Sequence, residues 1–151
     1  QSGGNNTFDI STFNHPVKSI FVGFGASQIN PALDRFSFKN MDMYINGTPL
    51  FENMSPTYFH TIQNYYKSTY GRTYYNPPTH SPTYTRYFAY HFCVNASEYN
   101  PSGSCNFSRL DNAKLVLRGV EAVNRPHAYV YAVNYNVLRI KDGLAGILFG
   151  N

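Results

Sequence analysis

The chain of 151 residues has no tryptophan, two cysteines and three methionines, and 13% of its residues are charged, against ~25% in ordinary soluble domains. Each shortage excludes something. Coiled coils and helical bundles are built from Ala, Leu, Glu, Lys and Arg, and this chain replaces them with Asn, Ser, Thr, Tyr and Phe. A disulfide-dense secreted scaffold needs more than Cys93 and Cys105. An immunoglobulin sandwich wants a core tryptophan between its cysteines. No apolar run approaches the ~20 residues of a membrane-spanning helix. No run of five Lys or Arg forms a basic arm, and a net charge of +4 does not by itself indicate nucleic acid. The opening residues QSGGNNTFD are too polar for a signal or transit peptide, and the missing initial Met points to a piece of a longer chain.

What is there is aromatic. With 14 Tyr and 12 Phe, hydrophobic residues reach 42%, an apolar load inconsistent with disorder. Tyr, Phe, Val and Thr favour strands, and Gly, Pro and Asn favour turns, so the composition predicts an all-β domain. At this length one domain, 1–151, is expected, with no composition shift inside it.

The first organised segment is FNHPVKSIFVGF (13–24), apolar on both faces and therefore an interior strand, with Pro16 at its start. Arg35–Asn46 alternates, but its phase slips near Lys39–Asn40, which predicts a β-bulge. Asn46-Gly47 is a strong hairpin signal. Ser55-Pro56 and Gly71 bracket one predicted helix around 56–70, with Phe59, Ile62, Tyr66 and Tyr70 on its apolar face. Three prolines make 70–84 a loop. YTRYFAYHFCV (84–94) reads as a buried central strand, NFSRLDN (106–112) as a capped turn, AKLVLRGV (113–120) as a strand and AYVYAVNYNVLRI (128–140) as one long strand. About seven strands without alternating helices leave a sandwich or barrel, and unequal loops with an inserted helix favour a jelly roll.

Chemistry-bearing patterns are sparse. The five histidines show no HExxH or HxH spacing, and His91 with Cys93 and Cys105 falls short of a zinc set. Cys93 and Cys105 are either one disulfide or, as the low cysteine count favours, two reduced thiols. Gly23-Phe24-Gly25 lacks the rest of a dinucleotide fingerprint, and no GxSxG elbow occurs. The residues name no enzyme and no cofactor. Basic and aromatic residues interleave at 65–75 and 83–92, a weak single-strand nucleic-acid signal. Five Asn-x-Ser/Thr sequons stand at Asn5, Asn46, Asn53, Asn95 and Asn106. Tyr-rich loops on a rigid sandwich also suit binding, so a carbohydrate- or receptor-binding jelly roll, using Tyr74 and Tyr75, is the alternative to a structural role.

Several segments go further: FNHPVK (13–18), DRFS (34–37), TIQNYY (61–66), YNPSGSCNFSRLDNAKLVL (99–117) and VYAVNYNVLRIKDGLAG (130–146). In this order they resemble the C-terminal part of the major capsid proteins of the nucleocytoplasmic large DNA viruses (iridovirus, phycodnavirus and mimivirus-like). The resemblance implies the second roll of a double jelly-roll subunit. It implies a homotrimer forming pseudo-hexagonal capsomers that meet neighbouring capsomers and minor capsid proteins. The product is an icosahedral shell, assembled in the host cytoplasm, with no direct nucleic-acid contact and only indirect contact with the viral membrane. It also gives work to particular residues. Pro101, Ser102 and Gly103 would fix a turn, Arg109 and Asp111 would clamp the SRLDN loop to its neighbouring strand, and Asn134 and Asn136 would need partners if buried.

Overall fold

The structure, a computed structural model, describes residues 4–25, 38–69, 87–120 and 127–150. Ten strands form two facing antiparallel sheets and a separate ribbon. The first sheet has the order β1-β7-β3-β4, from Gly4–Asp9, Ala113–Val120, Asn40–Ile45 and Thr48–Met54. In the second, β2 (Pro16–Gly25) is central. It pairs with β5 (Tyr87–His91) and β6 (Cys105–Asn106) along one side and β8 (His127–Asn134) along the other. The ribbon is the hairpin β9 (Leu138–Lys141) and β10 (Leu144–Ile147). Because the chain passes repeatedly from one sheet to the other, each sheet is closed by strands far apart in sequence, which is the jelly-roll sandwich expected.

The core lies between the sheets. Ile20 and Val22 of β2 and Phe88 of β5 face Met41 and Met43 of β3 and Leu115 and Leu117 of β7, all buried, with Phe38, Phe59 and Phe107 filling between. Each such side chain contributes roughly 1.5–3 kcal/mol by leaving water. Phe38 meets Phe88 edge-on with centroids 4.7 Å apart, the geometry aromatic pairs prefer.

Several elements follow the sequence reading. Pro16 opens β2, β7 spans Ala113–Val120, and Asn46 and Gly47 turn the β3–β4 hairpin with φ of 49° and 79°. Others depart from it. Gly4–Asp9, polar but for the half-buried Phe8, form β1, at the edge of the sheet among the described residues, and a single hydrophobic residue offers no alternation to detect. The strand expected from Arg35 begins at Asn40 among the described residues, so the slip at Lys39–Asn40 marks its start. The pairing irregularities lie later, between Met41 and Tyr44. Among the described residues β5 is an edge strand and not central, and Tyr84–Arg86 lie outside those residues.

The predicted 128–140 strand is two. Tyr135 still donates to the Pro16 carbonyl, but the Asn136 side chain then takes a strand partner's place. Its Oδ1 accepts from Val137 N at 2.7 Å and its Nδ2 donates to the Phe149 carbonyl at 2.8 Å, and the chain leaves the sheet as β9.

The helix also differs. Its first part, Tyr58–Ile62, is a π-helical turn, and α1 (Gln63–Lys67) follows and ends at the extended Ser68. Each π-turn adds a residue to the helical repeat, which rotates the following side chains. Phe59 stays buried, but Ile62 and Tyr66 are exposed and Gln63 and Asn64 face the sheet in their place. Tyr70 and Gly71 lie outside the described residues.

Candidate functional site

Two places concentrate the chain's unused chemistry: a buried polar node under α1 and the exposed C-terminal ribbon. The node exists because β5 is an edge strand, and an edge leaves backbone groups without partners. Helix side chains close it. The His91 N–H donates to Gln63 Oε1 at 3.1 Å, Lys67 Nζ donates to the His91 carbonyl at 2.6 Å, and His60 Nδ1 donates to the Tyr87 carbonyl at 3.1 Å. Gln63 Nε2 in turn donates to Tyr58 Oη.

The His91 ring, 1% exposed, sits in the middle. Asn64 donates its Nδ2 to the His60 carbonyl at 2.9 Å, so its Oδ1 is the acceptor 3.1 Å from His91 Nε2. That places the proton on Nε2 and leaves Nδ1 to accept from Ser19 Oγ at 2.7 Å. Burial, with the ammonium groups of Lys67 and Lys18 nearby, pushes the imidazole pKa down to about 4. Hydroxyl, imidazole and amide stand in the connectivity of a hydrolase triad. Ser19, however, is 2% exposed and points into packed protein, and both imidazole nitrogens are committed, Nδ1 to Ser19 on the neighbouring strand β2 and Nε2 to Asn64 on the helix. The arrangement is a structural clasp.

A second buried group lies in the other sheet. Asp42 accepts from Arg118 Nε at 2.6 Å and from the Asn53 backbone at 2.7 Å, pinning β3 to β7 and to β4. Among the described residues no group of three His, Cys, Asp or Glu side chains is placed to hold a metal ion.

The residues singled out from sequence are placed as follows. Ser102 Oγ accepts from Asn95 N at 3.1 Å, and its carbonyl accepts from Val94 N. Gly103 has φ +133°, and a Cβ there would stand 2.9 Å from the Phe92 carbonyl oxygen. Pro101 is exposed beside them. The expected clamp of the loop to its neighbouring strand by Arg109 and Asp111 is not seen: both side chains are exposed, and among the described residues no side-chain hydrogen bond or ion pair ties either of them to that strand. The loop is held instead by Asn46, whose Oδ1 accepts from the backbone N–H of Asp111 and of Asn112, each at 3.2 Å. Asn134 is exposed and donates to the Asn14 carbonyl, and Asn136, also exposed, anchors the ribbon. Sequence reasoning found Asn46 as a turn residue and a sequon, not as the acceptor that holds the loop, and missed Gln63, Asn64 and Asp42, whose partners are distant in sequence. Cys93 and Cys105 are free thiols, the first buried, and burial pushes the Cys105 thiol pKa up. Tyr74 and Tyr75 lie outside the described residues.

The ribbon is the opposite of the node. Leu138 pairs with Ile147 and Ile140 with Ala145, which puts these four side chains on one face. Leu138, Ile140 and Ile147 are 67%, 71% and 64% exposed, and Leu144, which pairs with Lys141 on the opposite face, is 78% exposed. Its base is tied by Asn136 to Phe149, and the Phe149 ring lies 6.4 Å from that of His15.

Comparison with known proteins gives this two-sheet roll a family. Residues 2–146 match the family described as large eukaryotic DNA virus major capsid protein. The major capsid protein of Pyramimonas orientalis virus is 31% identical over an alignment covering 92% of this chain and 38% of that protein. Capsid protein 1 of Acanthamoeba polyphaga mimivirus is 26% identical over 95% of this chain and 23% of its own length. In a quasi-atomic model of the PBCV-1 virus capsid, a chain superposes with a TM-score of 0.75 at 22% identity, covering all of this chain and 47% of that one. The chain thus spans under half of its relatives' length while reproducing one roll of their fold, and it belongs to the major capsid protein family of the large eukaryotic DNA viruses.

Proposed function

We propose that this chain is the C-terminal roll of a capsid subunit and has a structural task, to form the wall of an icosahedral virion. The subunit, completed by a first roll, assembles as a trimer into pseudo-hexagonal capsomers. These bind neighbouring capsomers and minor capsid proteins, and meet the membrane beneath only indirectly. Assembly takes place in the host cytoplasm. Family membership across residues 2–146 carries this reading. The buried polar groups support it, because they are spent on bracing: His91, Ser19 and Asn64 lock helix to sheet, and Asp42 locks three strands.

Negative-stain imaging of the purified full-length subunit tests the reading. Ring-shaped particles with pseudo-hexagonal outline and the mass of three subunits are expected. A monodisperse monomer at micromolar concentration and physiological salt overturns it.

A further inference from the structure

The two halves of the helical segment are held by different means. The π-helical turn Tyr58–Ile62 is anchored in the core by Phe59, fully buried, whose ring centroid lies 5.0 Å from that of Phe51. α1 has no such anchor. Its buried side chains are Gln63 and Asn64, while Tyr65 and Tyr66 are 53% and 75% exposed. An element that buries amides in place of hydrocarbon gains little by leaving water, because its hydrogen bonds largely replace bonds to water.

The ties of α1 are polar. The Phe92 N–H donates to the Lys18 carbonyl of β2, so by strand alternation the backbone groups of Tyr87 and His91 point to the other side of β5. There α1 takes the place of a strand. Gln63 Oε1 accepts from the His91 N–H, Lys67 Nζ donates to the His91 carbonyl, and Asn64 Oδ1 accepts from the imidazole Nε2. The C-terminal end is fastened to the Ala96–Ser97 turn: the Ala96 N–H donates to the Lys67 carbonyl at 2.6 Å, and the Thr69 N–H to Ser97 Oγ at 2.7 Å. Between the two halves, at Ile62–Gln63, the helical repeat changes from π to α, and such a change is where a helix bends.

We infer that α1 is a hinged strap over the outer edge of β5, swinging on the π-helical turn and opening as a unit with His91 as its lock, while the sandwich stays folded. The inference goes beyond the shell reading and does not depend on it. Units with little buried hydrocarbon open at lower cost than the core. The opening bares a row of backbone N–H and C=O groups on a strand edge, through which chains pair non-specifically. The closed strap is therefore a guard on the β5 edge.

Acid undoes the lock. The charged groups acting on the imidazole are Lys67 on the strap and Lys18 on β2. His60, a turn earlier, is taken up by the Tyr87 carbonyl, and the Tyr87 phenol shares the face of β5 that carries the His91 ring. Neither cation compensates a proton on the ring, and Lys67 would be repelled by it. The closed form thus binds that proton less readily than the open form, and opening grows as pH falls below 6.5.

Native-state hydrogen exchange on the full-length subunit, followed against denaturant at pH 7.5, is the test. The amides of Ser68, Thr69, His91 and Ala96 should share one opening constant. It should be at least tenfold larger than that of the Leu115 amide in the core, with a weaker denaturant dependence. If all five amides exchange with one constant and one slope, the strap leaves only when the roll unfolds, and the inference is overturned. Four unrelated constants overturn it as well, because nothing then moves as a unit. At pH 5.5, after correction for intrinsic exchange, the shared constant should be about tenfold larger than at pH 7.5 in the wild type and unchanged in His91→Gln. A wild type without that rise, or a variant with the same one, overturns His91 as the lock.

Discussion

Acidification should loosen the helix α1 from its sheet through His91. In the folded protein the imidazole pKa is lowered from 6.5 to about 4, chiefly because the ring is buried and secondarily because Lys67 and Lys18 are close. A base held neutral when folded binds a proton more readily when unfolded, so stability rises with pH between the two values. The contribution is whole above pH 6.5, falls as pH drops through the window and is lost below about 4. At about 1.4 kcal/mol per unit, some 1.4 kcal/mol should be gone by pH 5.5 and about 3 kcal/mol by pH 4. Physically, a protonated ring would present a donor where Ser19 Oγ–H now donates, and an uncompensated charge in a packed site. Two measurements check this. NMR titration of the His91 ring protons should give a midpoint near 4. Urea unfolding at pH 7.5 and pH 5.5 should show a stability loss about 1.4 kcal/mol larger in the wild type than in His91→Gln, which removes the titrating group and cancels the contributions of the other histidines. A midpoint above 6, or equal pH slopes in the two proteins, would refute the reasoning.

The other expectations concern single ties. Asn46→Ala removes the acceptor for two backbone N–H groups and should cost about 1 kcal/mol, while Asp111→Ala should stay within about 0.5 kcal/mol; thermal midpoints of the two variants, compared side by side, decide between the Asn46 tie and an acidic clamp. Gly103→Ala forces a Cβ to 2.9 Å from the Phe92 carbonyl oxygen at φ +133° and should destabilise by about 2 kcal/mol or more, read by denaturant midpoint, with an unchanged midpoint counting against the tight turn. Gln63→Ala uncovers the His91 amide on the β5 edge; hydrogen exchange there should accelerate at least tenfold with the Leu115 amide unaffected, and equal protection in both proteins would show that Gln63 does not close the edge.

How much could be read beforehand depended on the range of the interactions involved. Local rules served well where the deciding contacts are local. Pro16 can only open a strand, Asn46-Gly47 accepts the positive φ of a hairpin turn, and the Asn106 side chain caps the 3₁₀ turn Phe107–Arg109 two residues on. The longest resembling segment, 99–117, holds that turn and the first five residues of β7, where local chemistry and family pattern coincide. Local rules failed where a partner is far away. Periodicity put Ile62 and Tyr66 on the buried face, but the π-helical turn rotated Gln63 and Asn64 inward to meet unpaired edge groups of β5. Arg109 and Asp111 look, read along the chain, like the groups that clamp their loop, yet the acceptor that holds it is 65 residues away from Asp111 in the β3–β4 hairpin.

From composition and pattern alone came an aromatic, charge-poor, all-β chain and its principal turns, because strand propensity and turn geometry reside in single residues and their immediate neighbours; the kinship with viral shell proteins came from the resemblance of whole segments. The tertiary structure alone decided which strands are edges, where β8 gives way to the ribbon, and that Ser19 and His91, 72 residues apart, share a proton-donating contact. Those outcomes follow from which backbone groups find partners across the sandwich, and a hydrogen bond between distant strands leaves no periodic trace in either of them.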